Sequence, residues 1–177
     1  MIGVVLAGGA SRRMGTDKAA VDVGGRSMLD WVESALAAVC DRVVISGRPG
    51  GVADSPGMHG PLAGLAACLA WDEPLLVVAV DQPWVRVETL RAIKDMTGTV
   101  VPVDGGVRQV TCARYSPELT GPARQARSIQ RLLDQVPYQA VAEPEWRSWG
   151  EDGRSWYSVD DEDALLRGLE RYGPPTT

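Results

Sequence analysis

The chain has 177 residues, 45% hydrophobic and 23% charged, with 18 Lys and Arg against 23 Asp and Glu for a formal charge of −5. That length suits one domain with a full core. The acidic balance argues against a broad basic face for nucleic acid or an anionic membrane, but not against a small anionic ligand, whose phosphates need only a few local donors.

Met1-Ile2-Gly3-Val4-Val5-Leu6 has no basic stretch ahead of it, and its apolar run is too short for a secretion signal or a membrane span. Cys40, Cys68 and Cys112 are widely spaced and odd in number, which fits neither a disulfide framework nor a zinc site. They read as small core residues of a cytoplasmic protein.

Ile2–Ala7 is unbroken apolar sequence, the pattern of a parallel strand buried on both faces. A loop over 8–25 follows. A helix then carries Met28, Val32, Ala35, Leu36 and Val39 on one side, with Ser27 and Asp30 spaced as a capping pair. Arg42–Ser46 is predicted as a strand, 47–60 as a Gly/Pro-rich connection, Leu62–Trp71 as a helix and Leu75–Val80 as a third buried strand. Val87–Met96 reads as a helix, and Thr99–Val103 and Val107–Ala113 as strands about the turn Asp104-Gly105-Gly106. Ser128 is placed to cap a helix reaching Val136. Trp156–Val159 reads as a last strand, and Asp161–Tyr172 as a final helix with Leu165, Leu166 and Leu169 inward. Repeated strand-helix-strand units imply a three-layer α/β sandwich with a mainly parallel sheet. Ligands of such sheets bind beyond the carboxyl ends of the strands, which directs attention to residues 7–18, 46–60 and 80–85.

The first of these segments is Leu6-Ala7-Gly8-Gly9-Ala10-Ser11-Arg12-Arg13-Met14-Gly15-Thr16-Asp17-Lys18. Paired glycines after a buried strand let backbone N–H groups approach a ligand. Arg12, Arg13 and Lys18 add three cations within seven positions of an acidic chain; Arg grips phosphate with two donors and Lys acts as a point charge. A glycine turn followed by solvated charges has the same composition. The segment has neither the P-loop spacing nor G-x-G-x-x-G, which disfavours a P-loop ATPase and a dinucleotide-binding domain. Val77-Val78-Ala79-Val80-Asp81-Gln82-Pro83 ends a buried strand on a carboxylate at the functional edge, where Asp81 is a candidate metal ligand. Asp160, as a residue type, serves well as a helix cap.

The string over residues 6–18 resembles the N-terminal signature of molybdenum cofactor guanylyltransferases, the MobA-type nucleotidyltransferases. Related cytidylyltransferases commonly have L-A-A-G there, so Gly8-Gly9 leans toward a purine. Gly60-Pro61-Leu62-Ala63-Gly64-Leu65 is similar to the family's GPLAG segment, and Asp54 to an acidic residue in the loop ahead of it. Asp81-Gln82-Pro83 is similar to a C-D-x-P element, with Val80 in place of Cys. Ser158 and Asp160 stand where the family often has two Asn, and Ser46-Gly47-Arg48 where it often has an Asn-containing loop. His59, the single histidine, has no matched partner for catalysis.

The resemblance implies a Rossmann-like nucleotidyltransferase fold in one domain over 1–177, with 1–103 binding nucleotide and 104–177 the acceptor. It implies transfer of GMP from GTP to molybdopterin, or its molybdenum form, with release of pyrophosphate and with Mg²⁺ as cofactor. Leu6, Ala7, Gly8, Gly9, Ser11, Arg12, Arg13, Lys18, Asp54 and Gly60 would bind the nucleotide. Arg13, Lys18 and Asp81 would be catalytic, and Asp81 with Asp160 would hold the metal. Arg108, Gln109, Arg114 and Ser128 would face the acceptor. Partners would be GTP, molybdopterin and, transiently, molybdoenzymes or their chaperones, with no nucleic acid and no membrane. Three readings stay open beside it: a cytidylyltransferase for the same pterin or another small phosphate acceptor, a nucleotide-binding module without turnover, and an accessory protein touching molybdoenzymes through Trp146, Trp149 or Trp156.

Overall fold

The computed structural model describes residues 1–8 and 17–176. In chain order it contains β1 (Ile2–Leu6), α1 (Met28–Ala37), β2 (Arg42–Ser46), α2 (Pro61–Leu69), β3 (Leu75–Ala79), α3 (Val87–Asp95), β4 (Val100–Asp104), β5 (Val107–Arg108) and β6 (Cys112–Tyr115). These are followed by α4 (Thr120–Ala123), α5 (Ile129–Leu133), β7 (Gln139–Val141), α6 (Glu143–Ser148) and α7 (Glu162–Tyr172). The strand order is β2-β1-β3-β6-β4-β5, with β7 on β4.

β1 pairs in parallel with β2 and β3, and β4 with β7. β6 runs antiparallel to both of its neighbours and β5 antiparallel to β4, so the sheet is parallel at its core with two reversed strands. Helices cover both faces. Val4 and Leu6 pack with Leu62, Leu65 and Leu69 of α2 on one face, while Val5 packs with Val32 and Leu36 of α1 and Leu90 and Ile93 of α3 on the other. The three-layer sandwich expected from the strand-helix alternation is therefore the fold observed. Leu6 is level with Ser46 on one side and Ala79 on the other, so the segments leaving β1, β2 and β3 emerge side by side.

The helix caps follow the sequence. Ser27 accepts from Asp30 N at 3.1 Å, Ser128 from Arg131 N at 3.2 Å and Asp161 from Ala164 N at 2.8 Å, each satisfying an otherwise orphan donor. α5 stops at Leu133, short of Val136, because Val136 precedes Pro137 and the α conformation is disfavoured there.

Four expectations are corrected. The segment Val107–Ala113 is two strands: β5 closes a hairpin on β4, and β6 threads between β3 and β4. Trp156–Val159 is not a strand; Arg154–Trp156 forms a 3-10 turn, and the overlooked strand is β7, two of whose three residues are exposed and carry no apolar alternation. Leu166 is 58% exposed, because the inward stripe of α7 runs through Ala164, Leu165, Gly168 and Leu169. Trp146 and Trp156 are 1% and 7% exposed and meet edge-on at 5.1 Å, so they are core residues rather than partner contacts; Trp149 is half-buried against the same cluster.

Cys68 and Cys112 are buried and Cys40 is half-buried, all as free thiols. Burial pushes the Cys68 thiol up to about 11, which leaves it unreactive at neutral pH.

α7 approaches Trp84 so closely that a Cβ on Gly168 would stand 2.7 Å from the indole Cζ3 and 3.0 Å from Tyr157 Cε1. Gly168→Ala is expected to destabilise the protein by about 1–3 kcal/mol through overpacking, which chemical denaturation beside the parent checks.

Candidate active site

Past the end of β1, Ala7 N donates to Ser46 O at 2.9 Å, and the chain runs directly against the segment leaving β2. A Cβ on Gly8 would stand 3.2 Å from Gly47 Cα, and one on Gly47 would stand 2.6 Å from the Gly8 amide nitrogen. Gly47 also has φ of +83°, so both its backbone conformation and the available space require glycine. Asp54 belongs to the same corner, its Oδ2 3.4 Å from the Cβ position of Gly8. Gly60 caps α2 with φ of +66° ahead of Pro61 at the first helical turn. Gly64 lets α2 settle onto the strand ends, since a Cβ there would meet Ser46 Oγ at 2.7 Å and Leu6 Cδ2 at 2.9 Å. Leu6, Ala7, Gly8, Pro61, Lys18 and Asp81 are among the residues lining a cleft of about 250 Å³ at this edge. Gly9, Ser11, Arg12 and Arg13 lie outside the described residues.

Asp17 fixes where Lys18 begins. Its carboxylate caps the 3-10 turn Lys18–Ala20, accepting from Ala19 N at 3.2 Å, and accepts both guanidinium nitrogens of Arg48 at 2.6 and 2.5 Å. The Arg48 hydrogen bonds hold the Asp17 carboxyl below the usual carboxylate range. This fork ties the segment after β2 to the residue preceding Lys18. The sequence reading missed it, because nothing in the spacing couples position 17 to position 48.

From its turn, Lys18 Nζ donates to Asp160 Oδ1 at 2.9 Å and lies 3.5 Å from Asp81 Oδ2. Two carboxylates distant in sequence thus share one ammonium. Backbone bonding brings them together, with Val159 N donating to Asp81 O at 2.8 Å and Ser158 hydrogen-bonding the Asp81 side chain. Beneath them Gln82 is 2% exposed. Its Oε1 accepts from Ala79 N and its Nε2 donates to Thr111 Oγ1, both at 3.2 Å, which anchors the end of β3 to the start of β6. Burial raises the Asp81 carboxyl above its ordinary range and Asp160 adds to this, while Lys18 and Ser158 oppose it.

The second carboxylate arrives on a loop built around Glu151, which is 2% exposed. Its Oε1 accepts from the backbone N–H groups of Asp152, Gly153 and Ser155 at 3.0, 2.7 and 3.2 Å. Its Oε2 accepts from Thr89 Oγ1 at 2.5 Å and from Ser155 Oγ. The loop is thereby bolted to α3 a few residues before Ser158.

The donor set suits a hard divalent cation. Asp81, Asp160 and Ser158 present only oxygens, and the positive charge of Lys18 now stands between the two carboxylates. No group of three or more His, Cys, Asp or Glu side chains is gathered in this way among the described residues, so water or substrate oxygens would complete the coordination.

The other expected residues have partners of their own. Arg114 sits on β6 opposite Leu76 and Val100 and bonds Gly98 O, at the amino ends of β3 and β4 and hence the far edge from Asp81. Arg108 is engaged by Gln130 and Asp134, Gln109 Nε2 bonds back to Val107 O, and Ser128 is spent on its cap. His59 is exposed on the connection after β2.

The cleft lies at the carboxyl edge of an α/β sheet, where ligands of such folds bind. The model of the MobA-like NTP transferase domain matches residues 3–143; the chain belongs to this family. A "Probable molybdenum cofactor guanylyltransferase" of Pelotomaculum thermopropionicum is 38% identical over 128 residues, covering 64% of this chain and 62% of the relative. The chain therefore matches somewhat less than two thirds of that relative's length. Among solved structures, molybdopterin-guanine dinucleotide biosynthesis protein A from Archaeoglobus fulgidus superposes with a TM-score of 0.83 at 22% identity, covering 96% of this chain and 97% of that one. Rv0371c of Mycobacterium tuberculosis in complex with manganese gives 0.70 at 21% identity, covering 96% and 98%. At these identities the two structures establish the fold. Among the described residues no helix is long and apolar enough to cross a membrane.

A half-buried carboxyl with a raised pKa makes a signed prediction. The folded protein binds the Asp81 proton more tightly than the unfolded chain does, so this group's contribution to stability falls as pH rises from its ordinary value of 3.8 through the folded one. In metal-free buffer at neutral pH, Asp81→Asn is expected to melt at or above the parent temperature. The difference should vanish below the ordinary carboxylate range, where Asp81 is protonated in both states. Thermal midpoints measured from acid to neutral pH test the sign.

Proposed function

We propose that the protein transfers GMP from GTP to the terminal phosphate of molybdopterin, or of its molybdenum form, giving the guanine dinucleotide cofactor and pyrophosphate. The observation that carries this reading is Lys18 held between Asp81 and Asp160 at the strand ends, next to the Gly8–Gly47 contact. Family membership supplies the reaction class, and the name of the Pelotomaculum relative supplies the choice of base and acceptor.

A phosphate oxygen of the acceptor forms a bond to the α-phosphorus. The α–β bridging P–O bond breaks, and pyrophosphate leaves with the electron pair. The nucleophile is already ionised at neutral pH, so no general base is needed. Negative charge grows on the non-bridging and leaving oxygens, and fixed donors stabilise it better than water can. Leu6, Ala7, Gly8, Gly9 and Ser11 line the phosphate path in this reading, with Arg12 and Arg13 against the leaving pyrophosphate. Asp54 and Gly60 bound the ribose and base side. Lys18 exchanges its carboxylate partners for the α-phosphate. Asp81 and Asp160 would hold Mg²⁺, which would supply positive charge to neutralise phosphate oxygens. Residues 1–103 bind nucleotide, and 104–177 supply the acceptor side in the same domain. The free cysteines suit a reducing cytoplasm, where product would pass by transient contact to molybdoenzymes or their chaperones.

Lys18→Ala is expected to slow pyrophosphate release about 10²–10³-fold with GTP and acceptor; turnover within about threefold of the parent would remove Lys18 from this role. GTP with Mg²⁺ is expected to raise the thermal midpoint more than CTP or ATP, since ligand at about 100 times its Kd adds about 2.7 kcal/mol. A larger shift with CTP would replace the guanylyl assignment by a cytidylyl one. A GTP-induced shift without pyrophosphate release in the presence of acceptor would point to a binding module.

A further inference from the structure

We infer that the cavity between the Glu151 loop and α7 is the acceptor subsite, taking a phosphate monoester with an extended polar body and anchoring it through Arg167 and Arg171. The inference rests on the nucleotidyl-transfer reading and adds a place and a set of contacts to it.

In-line displacement puts the entering and leaving oxygens on opposite sides of the α-phosphorus. The leaving pyrophosphate belongs to the Gly8 side of Lys18, so the acceptor must come from the other side. A second cavity opens there, with a volume of about 460 Å³, inside the range of about 300–1,000 Å³ common for small-molecule sites. Ser158 lines both the first cleft and this cavity. Asp160 lines the cavity while its carboxylate holds Lys18. A molecule seated in it therefore presents one end to the Lys18–Asp81–Asp160 centre.

Four carboxylates and two guanidinium groups line the cavity; Asp160 is engaged by Lys18, Asp152 by Arg154 and Asp161 by its helix cap, which leaves Arg167 and Arg171 as the charges available to an anionic ligand with donor groups. Arg167 and Arg171 lie four residues apart on α7, on one face of the helix, and both line the cavity. Neither forms an ion pair with a carboxylate among the described residues, whereas Arg154, close by, is committed to Asp152 at 2.8 Å. Arg171 lies over the Tyr172 ring at 4.9 Å, which orients its guanidinium without neutralising it. Asp104 contributes the acceptor function. One of its oxygens takes the Trp156 Nε1 proton at 2.9 Å, leaving the other to receive N–H groups from a ligand's body. The cavity floor is preformed, because Glu151 fixes residues 152–155 by their own backbone N–H groups.

The test uses the full chain, molybdopterin as the acceptor probe and the variants Arg167→Glu and Arg171→Glu. Arg91→Glu, exposed on α3, controls for net charge. Each arginine variant is expected to raise the KM for molybdopterin at least about tenfold, leaving kcat and the KM for GTP within about twofold, the pattern of lost acceptor binding. Arg91→Glu should change none of them. Direct equilibrium binding of molybdopterin without nucleotide, followed by its intrinsic fluorescence, separates this inference from the reaction reading. If the parent binds the pterin and the arginine variants do not, the subsite stands even where no nucleotide is transferred. Equal binding by parent and variants, or an acceptor KM unchanged while the GTP KM rises, overturns it. Arg167→Lys and Arg171→Lys should recover part of the affinity, which a disrupted helix would not.

Discussion

A carboxylate taken out of water stays ionised only beside a cation, and the functional edge of this protein is organised by that requirement at Asp81. The residue sits where a fully apolar strand runs out, so its charge is poorly hydrated. Lys18 provides the compensating charge, and it comes from a different crossover than the one that delivers Asp81. Asp160 comes from a third segment and is drawn in by the same ammonium. One unfavourable burial thus couples three parts of the chain that share no local sequence. It also leaves the ammonium and both carboxylates committed to one another at the edge of the cleft.

Close backbone contact is the complementary constraint. Gly8 against Gly47 and Gly64 against Ser46 bring β1, β2 and α2 nearer than any side chain would permit. Arg48 then spans the resulting corner to Asp17. The energetic content of that exposed fork is small, but its geometry matters. Asp17 caps the turn on which Lys18 stands, so orienting Asp17 orients the lysine.

The buried strands, the capped helices and the strand-end carboxylate were legible because each rests on a local pattern: five apolar residues in a row, a Ser or Asp just ahead of an apolar stripe, an Asp at an apolar run's end. β7 was not legible, since it is held by β4 and α6 rather than by its own hydrophobicity. The supposed strand at Trp156–Val159 failed for a related reason. Its apolar residues are buried by a 3-10 turn whose shape is dictated by Glu151, and a glutamate in a loop gives no sign in the sequence that five donors will converge on it. Leu166 was assigned inward by residue type alone, against the phase that Gly168 imposes on α7. In the site, Asp81 was readable from position and Asp160 only ambiguously, because the sequence cannot show that Lys18 lies between them.

The charge of Asp160 has a physical consequence in this frame. An amide at that position could bond a neighbouring carboxylate without changing the local charge, whereas Asp160 adds a negative charge to a centre that already strains to keep Asp81 ionised. Such a charge is tolerable only where a cation is close, and Lys18 is 2.9 Å away. The segment that carries Asp160 also makes the contact between the Glu151 loop and the end of β3, through Val159 N and Asp81 O. Because Ser158 lines both hollows, the same segment stands between the cleft at the strand ends and the cavity beyond it.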